Sequence, residues 1–98
     1  LCATQCATQS TMSCYDEIMC PMSCEGMASD PDLGATYMAM LTCTAQMGVS
    51  DFDCYPASSP PPPSPRPAPS GPCQTEVCAY ATALANLYGP VPTYDYCY

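Results

Sequence analysis

The residues able to do chemistry in this chain are overwhelmingly cysteines: Cys2, Cys6, Cys14, Cys20, Cys24, Cys43, Cys54, Cys73, Cys78 and Cys97, ten in 98 residues. Such thiols can form disulfides, bind metal or act as nucleophiles. The four-residue spacings of Cys2 with Cys6 and of Cys20 with Cys24 offer possible zinc-ligand pairs. The chain has no histidine, however, and no paired CxxC knuckles at zinc-ribbon spacing. This density in so short a chain signals a disulfide framework of the oxidising, secreted kind. Ten half-cystines allow on the order of 945 pairings, so spacing leaves the connectivity open.

Other chemistries are poorly provided for. Without histidine or lysine, the chain cannot supply a Ser-His-Asp triad, a Cys-His pair or a Schiff base. The acid pairs Asp16 with Glu17 and Asp51 with Asp53 would suit glycoside hydrolysis only beside a sugar-sized cleft, which a chain this small can hardly build. Asp30 with Asp32, and Asp51 with Asp53, offer hard oxygen ligands for calcium. There is no EF-hand loop, and helix capping already accounts for Asp30 and Asp32. The expectation is a non-enzymatic protein with no cofactor and no metal.

Nine carboxylates face a single cation, Arg66. That balance disfavours nucleic acid and anionic lipid surfaces as partners and keeps a Met- and Tyr-rich chain in solution. No run approaches the length of a membrane span. The chain opens at Leu1 without an initiator Met or a signal-peptide pattern, as expected of a processed chain or an excised fragment. Asn86, the sole asparagine, is followed by Leu87 and Tyr88, so there is no N-glycosylation sequon.

These cysteines must be positioned by short helices. The tandem Cys-Ala-Thr-Gln of residues 2–9 places Cys2 and Cys6 on one face if it is helical. Ser13, followed by Asp16 and Glu17, suggests a helix start, with Cys14 and Ile18 sharing a face and Pro21 ending or kinking it. Asp30 as cap, Pro31 at the first position and Asp32 in the first turn open a second helix. Its face is Leu33, Tyr37, Met40, Leu41, Thr44 and Met47, and Gly48 is its stop. Thr75 and Glu76 open another, faced by Val77, Tyr80, Leu84 and Leu87 and ended by Gly89-Pro90. The tail from Val91 to Tyr98 alternates aromatic and polar residues and reads as a short extended segment.

Between these helices the composition changes abruptly. Residues 56–72 hold Pro56, Pro60, Pro61, Pro62, Pro63, Pro65, Pro67, Pro69 and Pro72. Proline fixes φ and lacks an N–H, so helix and central strand are excluded and polyproline II is the default. From Ser58 to Ser70 such a rod would reach roughly 40 Å. Seven cysteines precede it and three follow. With both counts odd, full oxidation requires a disulfide joining the two sides or joining one chain to another. Eight tyrosines, with Tyr94, Tyr96 and Tyr98 clustered at the end, and seven methionines offer rings and pliable apolar surface for packing or for subunit contact.

The stretch Ser59-Pro-Pro-Pro-Pro-Ser-Pro-Arg-Pro-Ala-Pro-Ser70 resembles the Ser/Pro rods of hydroxyproline-rich glycoproteins of plants and green algae, the pherophorin-like matrix proteins among them. That resemblance implies hydroxylation and O-glycosylation at Ser58, Ser59, Pro60, Pro61, Pro62, Pro63, Ser64, Pro65, Pro67, Pro69 and Ser70. It also implies a stiff, sugar-coated segment. Pro-x-x-Pro matches would also suit SH3- or WW-type domains, but those are mostly intracellular partners, at odds with the cysteines. In length, helix content and Met/Leu/Tyr-rich faces the chain is similar to elicitins, small secreted all-α proteins that bind sterols.

The expected fold is small, disulfide-rich and mainly α, with three or four short helices and a polyproline II segment on the surface. Residues 1–55 form a cysteine-rich helical segment and 56–72 the rod. Residues 73–98 form a helix and tail, disulfide-linked to 1–55 or to another chain. The expected function is that of an extracellular structural glycoprotein. It would self-associate into a fibril, matrix or appendage, with Tyr94, Tyr96 and Tyr98 as subunit contacts and the rod as glycan carrier and spacer. The alternative is an elicitin-like module for a sterol or other small apolar ligand, and an inhibitor or toxin is a third.

Overall fold

The computed structural model describes residues 1–55, 63–69 and 71–98, apart from the side chains of Tyr55, Pro92, Thr93 and Asp95. It is mainly helical, with α1 (Cys2–Gln9), α2 (Met19–Ala28), α3 (Gly34–Thr44) and α4 (Gln74–Tyr88), and a two-stranded antiparallel sheet of β1 (Phe52–Tyr55) and β2 (Ser64–Pro67). Short 3-10 segments occupy Val49–Asp51 and Pro92–Cys97.

The tandem repeat of α1 acquires its meaning from α2. Cys2 pairs with Cys24 and Cys6 with Cys20. Residues four apart share a helix face, so two cysteine pairs at this spacing staple the two helices antiparallel. The sequence places the start of α2 too early. Asp16, not Ser13, supplies the cap: its Oδ1 accepts the N–H groups of Ile18 and Met19 at 2.9 Å. Pro21 does not end the helix. It sits in the first turn, where backbone N–H groups have no intrahelical acceptor and its missing donor costs nothing.

Asp30 caps as expected. Its Oδ1 accepts from Asp32 and Leu33 at 2.8 Å, and its carbonyl from Gly34 at 2.9 Å. Pro31 to Leu33 form a turn, and regular helix begins at Gly34, closer to α2 than any side chain would permit. A Cβ on Gly34 would stand 2.8 Å from the Ala28 carbonyl oxygen. The anticipated face of α3 is buried in full: Leu33, Tyr37, Met40, Leu41 and Thr44, with Met47 just beyond. The helix stops at Thr44, and Gly48 instead begins the 3-10 turn whose Asp51 side chain accepts its N–H.

α4 packs Val77, Tyr80 and Ala81 against α3, while Leu87, expected on this face, is 48 % exposed. Cys73 rather than Thr75 precedes the first turn, and Gly89, at φ +83°, ends the helix. The tail is a 3-10 turn rather than an extended segment, because Cys78–Cys97 draws it back along α4.

The largest correction concerns the rod. Ser64 to Pro67 do not stand as a free polyproline II segment. They form β2, in register Phe52 with Pro67, Asp53 with Arg66, Cys54 with Pro65 and Tyr55 with Ser64. Alternation makes this possible. Pro65 and Pro67 lack N–H groups, so the donors of Ser64 and Arg66 face β1, and Ala68 adds a rung to the Asp51 carbonyl at 2.8 Å. Because Tyr55 and Ser64 are paired, the chain leaves and rejoins the sheet at neighbouring positions. Ser58, Ser59, Pro60, Pro61, Pro62 and Ser70 lie outside the described residues.

Cys14–Cys54 ties β1 to the α1–α2 connection, and Cys43–Cys73 joins the two sides of the proline segment. Closing a loop with a sequence separation of 30 restricts the unfolded chain by about 3–4 kcal/mol. Replacing Cys43 and Cys73 together by alanine should lower stability by about that amount in guanidinium unfolding. Gly34→Ala should cost about 1–3 kcal/mol through its backbone clash. Gly26→Ala, with nothing near the new Cβ, should be neutral or stabilise α2 by up to about 1 kcal/mol. Equal effects at the two glycines would show that the approach of α2 to α3 is not tight.

Candidate functional site

The pairing that holds β2 also inserts the chain's one cation into the molecule. β1 lies on one side of β2, and the Tyr96 hydroxyl donates to the Pro67 carbonyl at 2.9 Å. Arg66 is half-buried between these anchors. Its guanidinium carbon lies 5.9 Å from the centre of the Tyr94 ring, within cation–π range.

Tyr94 belongs to a chain of edge-to-face rings. Tyr37 and Tyr80 meet at 5.2 Å and 66°, Tyr80 and Tyr94 at 6.0 Å and 90°, Tyr94 and Tyr96 at 6.4 Å and 69°. These are the geometries that ring quadrupoles favour. Burial raises the phenol pKa of all three inner tyrosines above its usual value. At Tyr37 and Tyr80 the neighbouring Tyr94 adds to that rise, and Arg66 opposes it at each of the three.

Two surface clefts open on either side of Arg66. The first, about 530 Å³, is bordered by Gln5, Gln9, Asp16, Met19, Tyr37 and Arg66. The second, about 410 Å³, is bordered by Met27, Tyr37, Arg66, Tyr80, Leu84 and Tyr94. Both volumes fall in the range of small-molecule sites. The two glutamines come from the tandem repeat, one from each copy, and both are buried. Gln5 is fixed by the Thr44 hydroxyl, which donates to its Oε1. Arg66 Nε is buried without a hydrogen-bond partner, and among the described residues no carboxylate lies within ion-pair distance of the guanidinium. Asp53, directly opposite in the ladder, is exposed and makes no such pair.

The remaining candidate residues are distributed differently. Cys43, Cys73 and Glu76 come together closely enough to suggest a metal site, but the two sulfurs are bonded to each other. Asp16, Asp30 and Asp51 spend their carboxylates on backbone N–H groups. Of the tyrosines expected at a subunit contact, Tyr94 is 3 % exposed and committed to its own core. Tyr96 is half-buried, and only Tyr98 is open, at 49 %. Tyr98 also donates to the Ala81 carbonyl at 3.0 Å. Among the modification candidates, Pro63 and Pro69 are exposed, Ser64 and Pro65 are half-buried and Pro67 is buried.

Arg66 and the tyrosine row were not recognisable as a site from sequence, because Tyr37, Arg66, Tyr80 and Tyr94 are far apart along the chain. The available signal was the isolation of one cation among nine acids. Compared with family models, with curated proteins and with solved structures, the chain gives no match.

The raised phenols make stability pH-dependent at the alkaline end. Their contribution is complete below the ordinary tyrosine pKa of about 10 and is lost as pH rises through the higher folded values. Titration followed by the ring carbon resonances should find Tyr37, Tyr80 and Tyr94 still protonated above about pH 10. Stability measured across the same range should fall with rising pH. Coincident ionisation of all tyrosines in the folded chain would contradict the buried row.

Proposed function

We propose that this chain is a secreted, non-enzymatic structural module that displays its Ser/Pro-rich segment as an O-glycan carrier within an extracellular matrix, fibril or surface appendage. The observation that carries the reading is the pairing of Tyr55 with Ser64. It fixes both ends of the proline-rich connection on a body crossed by five disulfides. A segment held in this way is presented from one place, which suits a carrier of sugars better than a spacer.

The bonded body supports the extracellular placement, since disulfides persist in oxidising compartments. No helix of the described residues is long and apolar enough to cross a membrane. The absence of histidine and lysine supports a role without catalysis. Self-association would use the exposed apolar residues Ile18, Met19 and Met22 and the open ring of Tyr98 rather than Tyr94. A sterol-binding role has less support, because the interior is filled by Leu41, Val77 and their neighbours and the clefts open beside a cation.

The test is mass spectrometry of unreduced proteolytic fragments from the protein secreted by its own source, combined with sizing of the intact material. The fragment containing residues 56–72 should carry hydroxyl and pentose or hexose increments, and the intact protein should run as large assemblies. An unmodified fragment from a monodisperse monomer would overturn the proposal.

A further inference from the structure

We propose that Arg66 and the two clefts beside it form a binding site for a small monocarboxylate carried on a flat apolar group, such as an aromatic acid. The inference stands apart from the display role, since Arg66 and the second cleft use none of the residues expected to carry sugar, although Pro63, Ser64 and Pro65 border the first cleft.

The argument begins with the guanidinium. It presents donors in a planar fork that matches the two oxygens of a carboxylate. In this chain that fork has no acidic partner among the described residues, although nine carboxylates are available in the sequence. Its Nε is buried and unpaired, and a buried donor left without an acceptor is costly. Tyr94 provides a ring beside the charge and its hydroxyl interacts with the guanidinium, but Nε is left without an acceptor.

The surroundings choose the rest of the ligand. Beyond Arg66 the second cleft is walled by Met27, Leu84, Val91 and the rings of Tyr80 and Tyr94, a slot suited to a flat apolar body. The first cleft is bordered by the polar side chains of Gln5, Gln9 and Asp16, so the apolar body belongs on the Leu84 side. The formal charge of the chain is −8. That field penalises each added negative charge on a ligand, which favours a monocarboxylate over phosphate or a diacid.

The experiment uses the full oxidised chain, 15N-labelled, titrated separately with trans-cinnamate, its uncharged analogue cinnamamide, and inorganic phosphate. Cinnamate should shift the amide signals of Arg66, Met27 and Leu84. Cinnamamide should bind about ten- to a hundredfold more weakly, the loss expected for a charge-assisted pair. Phosphate should shift none of these signals. Arg66→Gln should reduce cinnamate binding to the level of the amide, and Arg66→Lys, which keeps the charge without the fork, should fall between. Equal binding of acid and amide would overturn the proposal, as would wild-type affinity in Arg66→Gln or an absence of shifts at about 10 mM cinnamate. Shifts with phosphate as large as those with cinnamate would overturn the choice of ligand. If Arg66→Gln fails to form its disulfides, the acid–amide comparison on the unaltered chain and the lysine variant decide the question.

Discussion

The Cys43–Cys73 disulfide fixes the last turn of α3 against the residue that opens α4, and the rest of the molecule is arranged around that closure. The two helices thus begin their packing from one covalent point, with Leu41, Tyr37, Val77 and Tyr80 meeting beyond it. The chain between the two cysteines must leave the core and return to it. It does so as the β1–β2 pair, which a second bond, Cys14–Cys54, ties to the α1–α2 connection. A chain of this size buries too little apolar surface to enforce such a path by packing alone. Sulfur determines where the chain must pass, and the apolar side chains fill what remains.

The same division of labour explains why the clefts exist. The inner side of α1 carries Gln5 and Gln9 rather than leucines, and both are buried. A helix with so little apolar surface would not stay in place without its two bonds to α2. Because it is stapled there, it borders a polar recess beside α3 instead of sealing the core. β2 closes the other side of that recess and brings Arg66 with it.

Much of the helical scaffold can be read from the sequence. The burial of Leu33, Tyr37, Met40, Leu41 and Thr44 follows from their spacing, and Asp30 caps where a short acid before a proline should. Errors arise where one residue admits two local roles. Pro21 reads as a stop, yet in a first turn it is harmless, and only the position of Asp16 distinguishes the two. The matching four-residue spacings of Cys2 with Cys6 and of Cys20 with Cys24 contained the stapled helix pair, but only if the two were considered together. The strand at Ser64 to Pro67 was hidden because prolines usually exclude pairing; here they fall on alternate positions. Arg66 could be singled out by its charge, whereas its enclosure by rings from α3, α4 and the tail depends on the tertiary fold.

The alternation in β2 has a consequence for how copies of this protein can meet. An ordinary outer strand offers donors and acceptors to any extended chain that approaches, and so invites indefinite sheet growth. At Pro65 and Pro67 the positions facing away from β1 carry no N–H group. An incoming strand would find no hydrogen to accept there, and the Pro67 carbonyl is already taken by the Tyr96 hydroxyl. This border is therefore chemically one-sided, and no third strand can be added beyond β2. A neighbour that met this border would have to pack on side chains, because a continuous β-ladder cannot be extended across it.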